Sequence, residues 1–234
     1  MRELQERDKL QGYLAEFRLE EVFPEPLHEH LALYRFEPGE PICSQGEKAD
    51  HLFVLVHGKI KVHTTTPEGN TLIISFKTPL EVIGDIEYIR GGVNMNTVTA
   101  VTPVEMIGVR HHWLQKYGKE VRLLQFLLEI ITNKFYMKSV TMSFNLMHPV
   151  EVRLASYLLS VSYENGGAEG PYPGELSAES LKDMAGFIGT SYRHLHRVIQ
   201  RFCAEGLLER NRGTLIVKDR AGLKAVAGYN IYEP

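Results

Sequence analysis

The feature that most constrains the fold is a long central segment, residues 120–147, which reads EVRLLQFLLEIITNKFYMKSVTMSFNLM and contains neither glycine nor proline. Strands in globular proteins rarely exceed about ten residues, so this segment predicts a helix of about eight turns. His148-Pro149 ends it, because the residue before a proline avoids the helical region and proline suits the first turn of a new helix.

The apolar residues of this helix form two stripes. One repeats with a 4-3-4-3 spacing, which is typical of a seam that pairs with a second copy of the same helix. This predicted dimerisation seam comprises Phe126, Ile130, Asn133, Met137, Val140, Phe144 and Met147. The adjoining stripe, Leu123, Leu127, Ile131 and Phe135, is predicted to cover the preceding domain. The alternative is an amphipathic helix that packs only on its own domain.

Short apolar runs separated by turns occupy the chain from Tyr34 to Arg110. The runs are HLFVLVHG, KIKVHTTT, TLIISF, NTVTAV and VEMIGV. Regularly spaced short strands of this kind predict an all-β roll or barrel.

A different pattern follows the proline. A helix is predicted over Val150 to Tyr163, and a Gly/Pro-rich loop leads to LKDMAGFIG, a short helix with one apolar face. Gly189 then allows a tight turn and Ser191 is placed to cap another helix. The stretch LLERNRGTLIV reads as a strand, a basic turn and a strand. Together these elements predict a winged helix-turn-helix.

The second helix of this motif has a polar face with cations in its first turn. Leu195, Val198, Ile199 and Phe202 form its apolar stripe, which forces Tyr192, Arg193, His196, Arg197 and Gln200 to the opposite face. Cations oppose the helix dipole at this end unless an anion such as a phosphate is held there. The predicted DNA-binding residues are Ser180, Thr190, Ser191, Tyr192, Arg193, His196, Arg197 and Arg212. The alternative is a solvated face in a domain that contacts only protein.

Composition excludes several classes of protein. The hydrophobic fraction of 44% and the charged fraction of 24% are those of a globular protein, and no apolar run reaches the roughly 20 residues of a membrane helix. The N-terminus lacks the apolar core of a signal peptide, so we expect a cytoplasmic protein. Two cysteines are too few for an intrachain iron–sulfur cluster. We find no catalytic grouping or metal-spaced cluster and expect neither an enzyme nor a metal site.

The stretch SLKDMAGFIGTSYRHLHRVIQRFCAEGLLE resembles the helix-turn-helix of the Crp/Fnr family of bacterial transcription regulators. QGEKADHLFVLVHGKIKVHTTTPEGNTLIISF is similar to the cyclic-nucleotide-binding roll of that family, and the order of elements matches over nearly the whole chain. SYRHL and VIGDIEYI are most similar to its YeiL-like branch. Tyr192 and Arg193 stand where the family commonly has Arg-Glu, so we expect an operator unlike the common family sites.

The resemblance implies an α+β fold with three parts. These are a cyclic-nucleotide-binding-like β-roll (jelly roll) with an N-terminal helix over residues 1–113, a dimerisation helix over 114–147 and a winged helix-turn-helix over 148–234. It also implies a homodimer that binds a two-fold symmetric site on double-stranded DNA, with RNA polymerase as a partner. The alternative is a ligand-binding module whose C-terminal domain makes only protein contacts.

The roll is predicted to sense an effector or to be a degenerate sensor. By the resemblance, the candidate effector residues are Gly84, Asp85, Ile86, Asn94, Met95, Asn96 and Ser139. Cyclic-AMP-binding relatives have an Arg-Ser pair where this chain has Asn94-Met95-Asn96, and burying a phosphate without a bidentate cation is costly. We therefore do not expect cyclic AMP to bind, although Arg90 leaves a rearranged phosphate site open. Haem ligation by one of the many histidines stays open as well. Cys43 is expected to be a buried structural thiol, and the alternative is a redox switch.

Overall fold

The computed structural model describes residues 1–67, 71–161, 175–177, 181–211 and 214–228. The chain forms two compact units, one of residues 1–64 and 76–135 and one of residues 65–75 and 136–234. The division between them falls within the long helix. The domain boundaries predicted from the sequence stay a prediction.

The N-terminal part of the chain forms a roll of two antiparallel sheets. The strands are β1 (Arg2–Leu4), β2 (Ala32–Phe36), β3 (Pro41–Cys43), β4 (His51–His57), β5 (Ile60–Thr65), β6 (Thr71–Lys77), β7 (Val82–Ile83), β8 (Thr97–Ala100) and β9 (Val104–Arg110). One sheet has the order β1-β2-β9-β4-β7 and the other β3-β8-β5-β6. The strands predicted from HLFVLVHG, KIKVHTTT, TLIISF, NTVTAV and VEMIGV are all present.

Helices flank these strands. They are α1 (Arg7–Glu16), α2 (Glu25–His28), α3 (Asp85–Arg90), α4 (His111–Tyr117) and the first part of α5 (Val121–Met147), with a 3₁₀ turn at Leu19–Glu21. The predicted helix over residues 120–147 is confirmed to within one residue at its start. Helix α3 was not predicted, because its six residues are too few to show a periodic pattern.

Strand β4 contributes side chains to two hydrophobic cores, one on each face of its sheet. Its alternate residues point to opposite faces of the sheet. Phe53 and Leu55 lie in the core between the sheets, whereas Leu52, Val54 and Val56 lie in a second core. Leu123 and Leu127 of α5 are buried in that second core. This is why β4 reads as one continuous apolar run in the sequence.

The second unit contains α6 (Val150–Val161), β10 (Glu175–Ser177), α7 (Leu181–Phe187), α8 (Tyr192–Ala204), β11 (Leu208–Asn211), β12 (Thr214–Val217) and α9 (Arg220–Ala227). Helices α7 and α8 with the β11–β12 hairpin confirm the predicted winged helix-turn-helix. Strand β10 pairs with β12, although the sequence suggested only a loop there. Its three residues form their hydrogen bonds with a strand that is distant in the sequence, so no local sequence pattern predicts this strand.

Candidate nucleic-acid interface and effector turn

A tight turn and a side-chain cap fix the start of helix α8. Gly189 has φ +68°, a conformation that residues with a Cβ rarely adopt. Ser191 has extended backbone, and its Oγ accepts a hydrogen bond from the backbone N–H of His194 at 3.2 Å. The predicted cap is therefore confirmed, and its geometry sets where the first turn of α8 begins.

Arg153 of α6 holds this turn from inside the second unit. Its Nη1 donates to the carbonyl of Gly189 at 3.0 Å and also to the carbonyl of Ile188. These two carbonyls follow the end of α7, where helix carbonyls lack partners within the helix. Arg153 thus positions α7 relative to α8 and was missed by sequence reasoning, because its acceptors are backbone atoms 35 and 36 residues away.

The two faces of α8 differ as predicted. Its apolar stripe of Leu195, Val198, Ile199 and Phe202 is buried. On the other face Tyr192, Arg193, Arg197 and Gln200 are exposed and His196 is partly exposed. The ring of Tyr192 lies 6.1 Å from that of His196. The helix therefore presents one continuous polar face with its N-terminus at one end.

The arginines of α8 are not equivalent. Arg201 pairs with Glu151 of α6 at 2.8 Å, and Arg210 of β11 donates to His196 Nε2 at 3.2 Å. Arg193 and Arg197 have no acidic partner within the residues that the structure describes. These two guanidinium groups are consequently the cations of α8 that are left to bind an external anion.

The remaining predicted DNA-binding residues are Thr190, Ser180 and Arg212. Thr190 is partly buried and its N–H donates to Ala185 O at 2.8 Å, so its backbone belongs to the turn. Ser180 and Arg212 lie outside the described residues.

Replacing Ser191 with alanine is expected to lower the free energy of unfolding by about 1 kcal/mol, because the N–H of His194 loses its acceptor. Urea denaturation of the two proteins measures the difference. Ser191→Asp is the matched control, since aspartate caps equally well and suits the helix N-terminus. Equal stability of the alanine variant and the wild type would contradict the capping role.

The predicted effector turn begins at Gly84, which has φ +86° and precedes α3. A Cβ added there would come within 2.2 Å of the backbone oxygen of His51. Glycine at this position is therefore required by the approach of strand β4, whether or not a ligand binds. This packing role was not predicted.

Asp85 is buried and faces a lysine of the long helix. Lys134 Nζ donates to Asp85 Oδ2 at 3.0 Å and Oδ1 at 3.1 Å, to Val82 O at 2.6 Å, and lies 2.9 Å from Glu81 Oε1. Lys77 lies 3.1 Å from the other oxygen of Glu81. The side chains of Asp85, Glu81 and Lys134 are only 4%, 12% and 23% exposed. We call Glu81, Asp85 and Lys134 the buried charge cluster.

The charges in this cluster stabilise one another. Burial alone raises the pKa of Glu81, but the nearby Lys134 and Lys77 ammonium groups outweigh it and hold the pKa below its ordinary value. Burial alone lowers the pKa of Lys134, and the carboxylates of Glu81 and Asp85 raise it above its ordinary value. Glu81 and Lys134 are therefore charged at neutral pH, and Asp85 faces a full positive charge.

The other predicted effector residues lie on and after α3. The Asn94 N–H donates to Glu47 O at 2.8 Å, and the Met95 N–H donates to Glu87 Oε1 at 3.0 Å. Asn96 O accepts from Cys43 Sγ at 3.8 Å. Ile86 and Met95 line a cavity of about 270 Å³ whose edge carries Arg90. Ser139 is exposed on α5.

A cyclic nucleotide does not fit these residues. The Asp85 side chain is only 4% exposed and both of its oxygens accept from Lys134, so a ribose hydroxyl would have to reach a buried acid that is already paired. The backbone of Asn94-Met95-Asn96 is engaged by the protein itself, and none of the three side chains is cationic. Arg90 alone, exposed at the end of α3, does not replace a buried bidentate arginine.

Neither cysteine has a reactive environment. Burial raises the pKa of the Cys43 thiol to about 11, and burial also raises the pKa of the Cys203 thiol. A thiol with so high a pKa is almost wholly protonated at neutral pH and reacts slowly. Among the described residues, no three His, Cys, Asp or Glu side chains are gathered as metal ligands.

The predicted dimerisation residues have mixed surroundings. Phe126 and Ile130 pack partly against the core of the roll, and Phe144 is buried. Asn133, predicted as a buried polar residue of the seam, is exposed in the single chain. Met137 and Val140 are partly buried. Of the adjoining stripe, Leu123 and Leu127 cover the roll as predicted, whereas Phe135 is 71% exposed.

A roll followed by a long helix and a winged helix-turn-helix defines a class of transcription regulators. Two family profiles match the chain, the cyclic nucleotide-binding domain over residues 33–119 and the Crp-like helix-turn-helix domain over residues 152–226. The chain belongs to the Crp/Fnr family of transcription regulators.

Relatives agree with this assignment. The regulatory protein YeiL of Escherichia coli O157:H7 is 25% identical over 92% of this chain and 94% of its own length. A CRP-like cAMP-activated global transcriptional regulator of Mycobacterium tuberculosis is 18% identical over 79% of this chain and 83% of its own. The crystal structure of a CRP-family transcriptional regulator from Thermus thermophilus shares the fold, with a TM-score of 0.58 and 20% identity over 85% of this chain and 98% of that one. In the described residues, none of the helices has the length and hydropathy needed to cross a membrane.

Proposed function

We propose that this protein binds a specific, two-fold symmetric DNA operator as a homodimer and regulates transcription there. The observation that carries the proposal is the exposed face of α8, where Arg193 and Arg197 have no acidic partner in the described part of the chain. In this motif the second helix lies in the major groove, with its N-terminal residues at the base edges. Arginine is the usual reader of guanine O6 and N7 there.

The electrostatics of α8 favour a nucleic acid over an uncharged partner. A cation in the first turn of a helix opposes the dipole, by about 0.3–1 kcal/mol when exposed. A phosphate at the same end accepts hydrogen bonds from the free backbone N–H groups and pairs with the guanidinium groups. Arg193 in the first turn is therefore unfavourable in the free protein and favourable on DNA.

The homodimer is proposed to form through the exposed stripe of α5. Leu128, Phe135 and Met142 are exposed large apolar residues spaced seven apart, and Leu124 and Leu146 lie on the same face. An apolar residue at every seventh position is typical of a seam between two helices. This face is rotated from the seam predicted by the sequence, because Phe126 and Ile130 already pack on the roll.

Phe135→Glu is expected to convert the dimer into monomers, because it places a charge in the centre of an apolar seam. Sedimentation equilibrium measures the change. Asn133→Glu is the matched control, since Asn133 is exposed and belongs to the seam predicted from the sequence. Loss of the dimer in the Asn133 variant but not in the Phe135 variant would restore that seam.

The test of the proposed function is selection of bound DNA from a random pool. We expect an inverted repeat whose half-sites lie about one helical turn apart, with a sequence unlike the common Crp or Fnr half-sites. Recovery of the usual family half-sites would contradict the expected specificity. The absence of any salt-dependent DNA binding would favour the alternative, a module that makes only protein contacts.

The same proposal covers the partners of the protein. An operator-bound regulator acts on RNA polymerase and works where the DNA is, in the cytoplasm. We propose no enzymatic activity, and any effector of the roll is expected to be released chemically unchanged. Mass spectrometry of the effector before and after incubation with the protein tests that expectation.

A further inference from the structure

We propose that Lys134 is a built-in ligand of the roll, which fixes the first half of α5 to the roll with no cyclic nucleotide bound. The roll is one that the family profile describes as cyclic nucleotide-binding. In this chain the acid of its Gly84-Asp85 turn binds an ammonium group of the protein itself. The proposal deepens the proposed function, and only its DNA-binding readout rests on that function.

The first support is that the hydrogen bonds of the ammonium group are complete. A lysine ammonium has three N–H donors. Lys134 directs them to three groups of the roll, namely the carbonyl of Val82 and the carboxylates of Glu81 and Asp85. Both oxygens of Asp85 lie within hydrogen-bonding distance of Nζ. The three donors of Lys134 are therefore all used within the protein.

The second support is the position of Lys134 along the helix. Leu123 and Leu127 fix α5 to the roll by apolar packing, and Lys134 adds an ionic attachment about two turns further on. Phe135, the next residue, is exposed. Among the described residues, Lys134 is therefore the last residue in this half of α5 that contacts the roll through a buried polar group.

The third support is burial. The carboxyl group of Asp85 and that of Glu81 lie almost out of contact with water. Carboxylates in such a place need a cation, and here α5 supplies it. If α5 moved away, Asp85 would lose the Lys134 charge and Glu81 would keep only that of Lys77, so the ion pairs favour the docked helix.

Hydrogen exchange of the full-length protein tests the proposal directly. Lys134→Met removes the cation, and the triple variant Lys134→Met, Glu81→Gln, Asp85→Asn removes the attachment without leaving buried charge, so that it folds even if the single variant does not. We expect amide exchange in residues 121–135 to be at least about tenfold faster in the triple variant than in the wild type. Lys138→Met, which changes an exposed lysine one turn away, is the matched control and should exchange like the wild type.

Two further measurements complete the test. Calorimetric titration of the wild type with cyclic AMP and with cyclic GMP should show no saturable binding, and its operator affinity should be independent of both. Unchanged exchange in the triple variant, or saturable binding of either nucleotide by the wild type, would overturn the proposal. If the wild type binds no DNA at all, the proposed function fails, while the exchange and calorimetry results still decide the role of Lys134.

Discussion

Replacing Arg197 with alanine is expected to weaken binding to the selected operator by about 5- to 150-fold, which corresponds to about 1–3 kcal/mol. Arg197 is exposed on the polar face of α8, one turn after Arg193, and has no acidic partner in the described residues. Its guanidinium is thus available to form a bidentate contact with a guanine. Titration of labelled operator DNA at fixed salt concentration measures the loss.

Arg201→Ala is the matched control on the same helix. Arg201 is held by Glu151 of α6 and lies near Glu205, so its removal should change DNA affinity little. The ion pair is partly exposed and is worth at most about 1 kcal/mol of stability. If Arg197→Ala lowers the affinity for operator and for random DNA equally, Arg197 contacts a phosphate. The slope of log affinity against log salt concentration should then fall by about one. Unchanged affinity would contradict any contact with DNA.

Replacing Lys134 with methionine is expected to lower the free energy of unfolding by about 3–5 kcal/mol at neutral pH. The variant leaves the carboxylates of Glu81 and Asp85 buried without the cation that lies 2.9 Å and 3.0 Å from them. Urea denaturation measures the change. Lys138→Met, on the exposed part of the same helix, should stay within about 0.5 kcal/mol of the wild type.

The cost of this substitution should depend on pH. The pKa of Glu81 is lowered in the folded protein, so its stabilising contribution is present above the ordinary carboxylate pKa and is lost as the pH falls through the folded value. The pKa of Lys134 is raised, so its contribution is complete below the ordinary lysine pKa and is lost as the pH rises through the folded value. The difference between wild type and variant should therefore be largest between about pH 5 and pH 10. A difference that grows in acid would contradict the ion-pair account.

The elements of the fold were predictable where a local period exists. The strands of the roll, the long helix and the buried stripe of α8 each repeat their apolar residues at the spacing of the structure they form. The cap at Ser191 and the turn at Gly189 follow from the backbone preferences of two residue types. Short elements such as α3 and β10 escaped prediction because so few residues carry too little pattern.

Only part of the candidate site could be predicted, for the same reason. The polar face of α8 follows from its stripe, so Tyr192, Arg193 and Arg197 were placed correctly on the surface. Sequence reasoning placed Asp85 in an effector site but missed the lysine that neutralises it. The available signal was a single lysine between two apolar stripes, and nothing local tells whether such a lysine faces water or a buried carboxylate.

The sequence by itself determined that this chain forms a roll, a long helix and a winged helix-turn-helix, because the local spacing of apolar residues predicts each of these. Only the tertiary structure decided that Lys134 meets Asp85 from 49 residues away and that Phe135 rather than Asn133 lies on a large exposed apolar stripe. The period of a helix defines its faces but not what each face meets. That is set by the packing of distant segments, in which Leu123 and Leu127 fix the rotation of α5 on the roll.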